Sequence, residues 1–182
     1  MGDETNRPTD PHLKVSGTLK HSTFIPESLT MQSSANCTPS QPVPLLRAYH
    51  PTAMDHFYTT DANEMANAVK KLGYNQEGIA THVFTTQALN TIPLYRMFNG
   101  AVIDHFYTTS YLEVQSAAAN SGYTYEGIAA YVYGFGACQG VPFYRLYSSR
   151  ATDHFYTTST SEVNSAIIVG YKMEGIVAYV CK

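Results

Sequence analysis

The sequence predicts an α+β fold: a pseudo-threefold ring of three strand-strand-helix-strand units, resembling a small three-bladed propeller. Three observations predict it. The hexapeptide Asp-His-Phe-Tyr-Thr-Thr begins at Asp55, Asp104 and Asp153, in two equal steps of 49 residues. The same step relates Pro44-Leu45-Leu46-Arg47, Pro93-Leu94-Tyr95-Arg96 and Pro142-Phe143-Tyr144-Arg145. Finally, one unit of about 40 ordered residues is too small to bury its own apolar face, so the copies must share a core. Radial closure would also remove free sheet edges.

These repeats divide the chain into a leader or tail over 1–42 and one three-repeat domain over 43–182, with units 43–91, 92–140 and 141–182. In the leader, Pro8, Pro11 and Pro26 interrupt a polar stretch without periodicity, as expected of disorder.

Each unit opens with a strand after a proline. In the second copy Leu94, Arg96 and Phe98 alternate with Tyr95 and Met97. The hexapeptide, rich in β-formers, is the second strand; its His, Tyr and last Thr share one face, its Phe and first Thr the other. A helix follows. Asp61, Ser110 and Ser159 are N-cap residues, and Glu64, Glu113 and Glu162 stand three positions later, the spacing of a capping box. Gly73, Gly122 and Gly170 stop the helices; the last arrives one residue early, so the third copy has lost a residue after Ser159. The third strands are Ile79–Phe84, Ile128–Tyr133 and Ile176–Cys181, each preceded by a Glu-Gly pair that reads as a turn or bulge.

Three cysteines leave one unpaired. Cys37 precedes the first unit and Cys181 ends the last strand, so ring closure predicts a Cys37–Cys181 disulfide, with Cys138 free.

The hexapeptide, with its Gly-Tyr-x-x-Glu-Gly-Ile ending, resembles a short repeat of secreted fungal and bacterial proteins, found alone or appended to secreted hydrolases and largely of unknown function. The resemblance covers 43–182. It implies secretion and a non-catalytic binding role, and it supplies no established site residues. The expected clasp and the Asn36-Cys37-Thr38 glycosylation pattern agree with secretion, although no apolar signal region follows Met1.

Charged residues make up 14% of the chain against a usual ~25%, and their place is taken by uncharged polar groups and 15 tyrosines. Such a surface suits neutral polyhydroxylated ligands. A net charge of −3 supplies no footprint for nucleic acid, and no apolar run is long enough for membrane insertion.

The candidate site residues are the repeated polar ones. Asp55-His56, Asp104-His105 and Asp153-His154 carry the groups of a catalytic pair, but adjacent strand residues point apart, so no Asp can buttress its own His. Three equal copies also favour binding over one active centre. His56, His105 and His154 would meet on the axis if the second strands were innermost, and could then hold zinc; the expectation retained is a protein without metal or cofactor. Arg47, Arg96 and Arg145 read as forked onto Glu77, Glu126 and Glu174, or as donors to sugar hydroxyls. Tyr58, Tyr107 and Tyr156, with Tyr74, Tyr123 and Tyr171, are either buried with bonded hydroxyls or platforms for a saccharide ring, and the sequence leaves both open.

The expected function is therefore a secreted lectin-like protein, not an enzyme, with up to three equivalent sites for a glycan or cell-surface glycoconjugate. The alternative is a protein-interaction, defence or effector module recognising a partner through the connections 85–92 and 134–141, which match in length but not in sequence. A hydrolase would need an unmatched polar cluster, and His50 and His82 are too little to build one.

Overall fold

The computed structural model describes residues 41–134, 137, 138 and 140–181. The expected leader therefore lies almost wholly outside the described residues. The first unit contains β1 (Val43–His50), β2 (Asp55–Thr59), α1 (Ala62–Lys71) and β3 (Asn75–Val83). The second contains β4 (Thr91–Asn99), β5 (Asp104–Thr108), α2 (Tyr111–Asn120) and β6 (Thr124–Tyr133). The third contains β7 (Val141–Ser148), β8 (Asp153–Thr157), α3 (Thr160–Ile168) and β9 (Lys172–Val180). The expected element order thus occurs three times, and the deleted residue shortens α3 to 9 residues against 10 in α1 and α2. The fold is mostly β with three short helices.

Within each unit the first strand lies between the other two, antiparallel to both. The first unit forms the sheet β2-β1-β3, and the others join as β5-β4-β6-β9-β7-β8, a strongly curled half-barrel. The joints are narrow. Tyr133 pairs with Tyr179 between β6 and β9, Phe84 with Tyr131 between the first and second units, and Cys181 with His82 between the third and first. Gly78, Gly127 and Gly175 have positive φ where the register against the first strand slips, so the Glu-Gly pairs are bulges.

Both faces of each sheet are covered. On one, Leu45, Leu94 and Phe143 meet Tyr58, Tyr107 and Tyr156 in a shared central core with Val83, Val132 and Val180. On the other, each helix closes a small cluster; Val114 of α2 packs on Met97 and Phe106. The alternation Leu94-in, Met97-out read from the sequence therefore separates two apolar environments rather than core from solvent.

The N-caps form as expected in their first half: Asp61 accepts from the Glu64 amide, Ser110 from Glu113 and Ser159 from Glu162. The second half is rerouted. The Asp61 amide donates to the Thr59 hydroxyl at 3.0 Å, and that hydroxyl donates to the Glu64 carboxylate. Thr108 and Thr157 relay Ser110 and Ser159 to Glu113 and Glu162 in the same way. A threonine thus stands where a capping box would place the glutamate itself.

The cysteine expectation is corrected. Cys181 carries a free thiol, so the Cys37–Cys181 bond is not formed. Cys138 is engaged rather than free, and Cys37 lies outside the described residues. Chain closure rests instead on the His82–Cys181 backbone bridge and the Thr81 hydroxyl, which donates to the Cys181 carbonyl at 2.8 Å.

Candidate functional site

The innermost strands, β2, β5 and β8, meet through their tyrosines. Each phenol reaches the backbone of a different unit and satisfies both polar groups of one residue there. The Tyr107 hydroxyl accepts from the Tyr58 amide at 2.9 Å and donates to the Tyr58 carbonyl at 2.7 Å. Tyr156 serves Tyr107 in this way, and Tyr58 serves Tyr156, closing the cycle. A phenol thereby replaces the neighbouring strand that each inner edge lacks. The rings meet edge to face, with centroids 5.4–5.6 Å apart. Burial raises the pKa of all three phenols, and the hydroxyls stay protonated as the donors this cycle needs.

One residue pair further along each strand lies an Asp-His-Tyr cluster that also crosses units. His105 donates from Nδ1 to Asp55 at 2.7 Å, His154 to Asp104 at 2.7 Å and His56 to Asp153 at 2.6 Å. The other oxygen of each aspartate accepts the backbone amide of the same histidine. Tyr74, Tyr123 and Tyr171 add a hydroxyl to Asp55, Asp104 and Asp153. The aspartates are wholly buried and approach to within 4.8 Å of one another. What converges is therefore a set of carboxylates saturated by internal donors, not the three imidazoles of the zinc arrangement. Burial pushes Asp55 up, but the bonds from His105 and Tyr74 outweigh it and hold the group below its usual range. The aspartate cannot orient its own histidine, as expected, yet it orients another unit's. At His56 the outward nitrogen faces a Glu77 oxygen at 4.0 Å, so the group beyond this pair is a carboxylate rather than a hydroxyl nucleophile.

The arginines stand where units abut. Arg96 directs Nε to Glu126 at 2.8 Å, the within-unit fork expected, as Arg47 does to Glu77 and Arg145 to Glu174. Its terminal nitrogens then make a two-pronged contact with Glu64 of the preceding unit, at 3.1 and 2.8 Å. Arg145 clasps Glu113 and Arg47 clasps Glu162 likewise. Each guanidinium also lies over a phenylalanine of the unit it clasps: Phe155 for Arg47, Phe57 for Arg96 and Phe106 for Arg145, at 5.1–5.5 Å from the ring centre. Half-burial raises the Glu64 pKa, but the bonds from Arg96 and Thr59 lower it further, leaving it below the usual carboxylate range; Glu113 follows the same balance with Arg145 and Thr108.

Above each Arg-Glu cluster lies a cleft between units. The cleft between the first and second units has a volume of about 630 Å³. Those between the second and third, and the third and first, have about 300 and 360 Å³. Each is walled by one unit's helix and its phenylalanine, and by the next unit's histidine stacked on an aromatic ring. The stacked pairs are Phe98–His105, Tyr147–His154 and Tyr49–His56, at 4.6–4.7 Å.

The structure sorts the sequence-derived candidates. Asp55, Asp104, Asp153, Tyr58, Tyr107 and Tyr156 are at most 1% exposed, with their polar atoms taken, so they are framework and have no surface for a ligand. His56, His105, His154, Arg96, Arg145, Glu126 and Glu174 line the clefts, whereas Arg47 and Glu77, paired with each other, are not among the residues lining the cleft between the third and first units. Sequence reasoning missed Tyr49, Phe98 and Tyr147. They occupy one position of the repeat, and the aromatic type kept there in all three copies was the available signal.

Residues 31–181 match the model of the family described as a domain of unknown function, DUF5648, and the chain belongs to that family. No curated protein and no solved structure matches it.

Proposed function

We propose that this DUF5648 domain is a secreted, non-catalytic carbohydrate-binding protein whose units form a pseudo-threefold, propeller-like ring with one saccharide site in each inter-unit cleft. The observation that carries the reading is the recurring cleft itself, in which an aromatic ring stands beside histidine and glutamate, with an arginine added in two of the three. A pyranose ring laid on Tyr49, Phe98 or Tyr147 would place its apolar C–H face against the face of the aromatic ring. Its hydroxyls would then reach the carboxylate oxygens and imidazole nitrogen at the floor, which are preorganised by their own bonds. The cyclic tyrosine contacts support the ring arrangement, and the low charge and the glycosylation pattern at Asn36 support secretion.

A glycan array followed by titration calorimetry tests the function. A saccharide ligand whose affinity falls on Tyr49→Ala, Phe98→Ala or Tyr147→Ala is the expected result. Silence on every glycan, in both measurements, would sink the proposal.

A further inference from the structure

The clefts repeat in sequence but not in content. The wide cleft between the first two units is lined by the rings of Phe57 and Phe98 and by the aliphatic groups of Ala53, Leu72 and Ile103, among polar residues. Leu72, half-exposed at the end of α1, corresponds to Ser121 in the second cleft and to Val169 in the third, whose volume is little more than half as large. The histidine of the turn, His50, is replaced in the other units by Asn99 and Ser148. Ile103 lines this cleft from a turn position that holds positive φ in every unit, as Met54 and Thr152 do. The charges at the floor are already mutually engaged, since Arg96 is held by both Glu64 and Glu126, and the sum of the three is negative. Such a floor repels an anion and gives a cation no unpaired acceptor as strong as the existing fork.

We infer that the cleft between the first and second units is a distinct site for a flat, neutral apolar group, the aglycone of a glycoconjugate whose sugar lies on Phe98. The sugar half rests on the function proposed above, whereas the apolar half rests on this cleft alone. A flat two-ring group fits a cleft of about 630 Å³ and would pack beside the sugar against Phe57, Leu72 and Ile103, and burying its apolar surface supplies affinity that a sugar alone lacks.

The probes are naphthol, naphthyl glycosides and methyl glycosides, titrated against the full chain by fluorescence and calorimetry. The expected result is one naphthol per chain and roughly tenfold tighter binding of a naphthyl glycoside than of its methyl counterpart. Ala53→Trp fills the cleft and should abolish naphthol binding, and Leu72→Gln, at a half-exposed helix end, should weaken it severalfold. Val102→Trp, at the matching position of the second unit, should leave it unchanged. Naphthol binding that is absent, or indifferent to Ala53→Trp and Leu72→Gln, overturns the inference. If naphthol binds once and is lost in Ala53→Trp while no glycoside shows any contribution from its sugar, the apolar site stands and the saccharide reading falls. If methyl glycosides bind at three equal sites with no gain from the naphthyl group, the saccharide reading stands and this inference falls.

Discussion

Replacing Tyr107 by Phe removes one oxygen atom and leaves the apolar packing of the ring in place. The lost hydroxyl is the partner of both the amide and the carbonyl of Tyr58, at 2.9 and 2.7 Å, and Tyr58 is only 1% exposed. Water has no easy access to the two groups left behind. An unsatisfied buried donor or acceptor costs about 1–3 kcal/mol, so the pair should cost about 2–6 kcal/mol. Against a typical domain stability of about 5–15 kcal/mol, that is a large fraction. Urea unfolding followed by both circular dichroism and tyrosine fluorescence would measure it. The midpoint should fall by about 1–3 M with little change in slope. Tyr125→Phe is the control, because Tyr125 is 44% exposed and its loss should stay within about 0.5 kcal/mol. Should Tyr107→Phe match Tyr125→Phe, the phenols would not be substituting for missing strand neighbours, and the account of the central core would fail.

Removing the Arg96 side chain as Arg96→Met should cost about 1–3 kcal/mol, because it undoes the contacts to Glu64 and Glu126 and leaves Phe57 uncovered; Arg96→Lys should recover little, since an ammonium cannot reproduce the two-pronged geometry. Thermal denaturation of both variants checks this, and full recovery by lysine would contradict it. Acid should also loosen the units. Asp55, Glu64, Glu113 and Glu162 all have folded-state pKa values below their unfolded ones, so their contribution is present above the unfolded value and is lost as pH falls through the folded value. The urea midpoint should therefore decline progressively below about pH 4. A midpoint unchanged well below that range would refute the assignment of these carboxylates to inter-unit clasps.

Much of one unit was legible along the chain, because its determinants lie within a few residues of one another. Ser110 and the Glu113 amide form a cap three residues apart, Gly122 ends the helix where a left-handed residue is needed, and Gly127 sits at the bulge. The Arg96–Glu126 pair, 30 residues apart but inside one unit, was legible too. The Thr108 relay was not, since the spacing of Ser110 and Glu113 reads equally well as a direct capping box.

By itself, the sequence determined three units, the order of their elements and the residues that start and stop each helix. Only tertiary structure decided which copy meets which. Asp55 can pair in principle with His56, His105 or His154, and every choice leaves the same repeated letters; the fold brings it to His105, 50 residues away. Repetition makes the alternatives identical in composition, so strand direction and the packing of the central core must choose between them. The same choice buries Tyr58, Tyr107 and Tyr156 at the centre and leaves Tyr49, Phe98 and Tyr147 lining the clefts. A tyrosine is amphipathic and suits either place, so its role follows from where the units meet. Cys181 shows the limit from the other side: ring closure suggested a covalent clasp to Cys37, whereas Cys181 keeps a free thiol and its backbone pairs with His82 of the first unit.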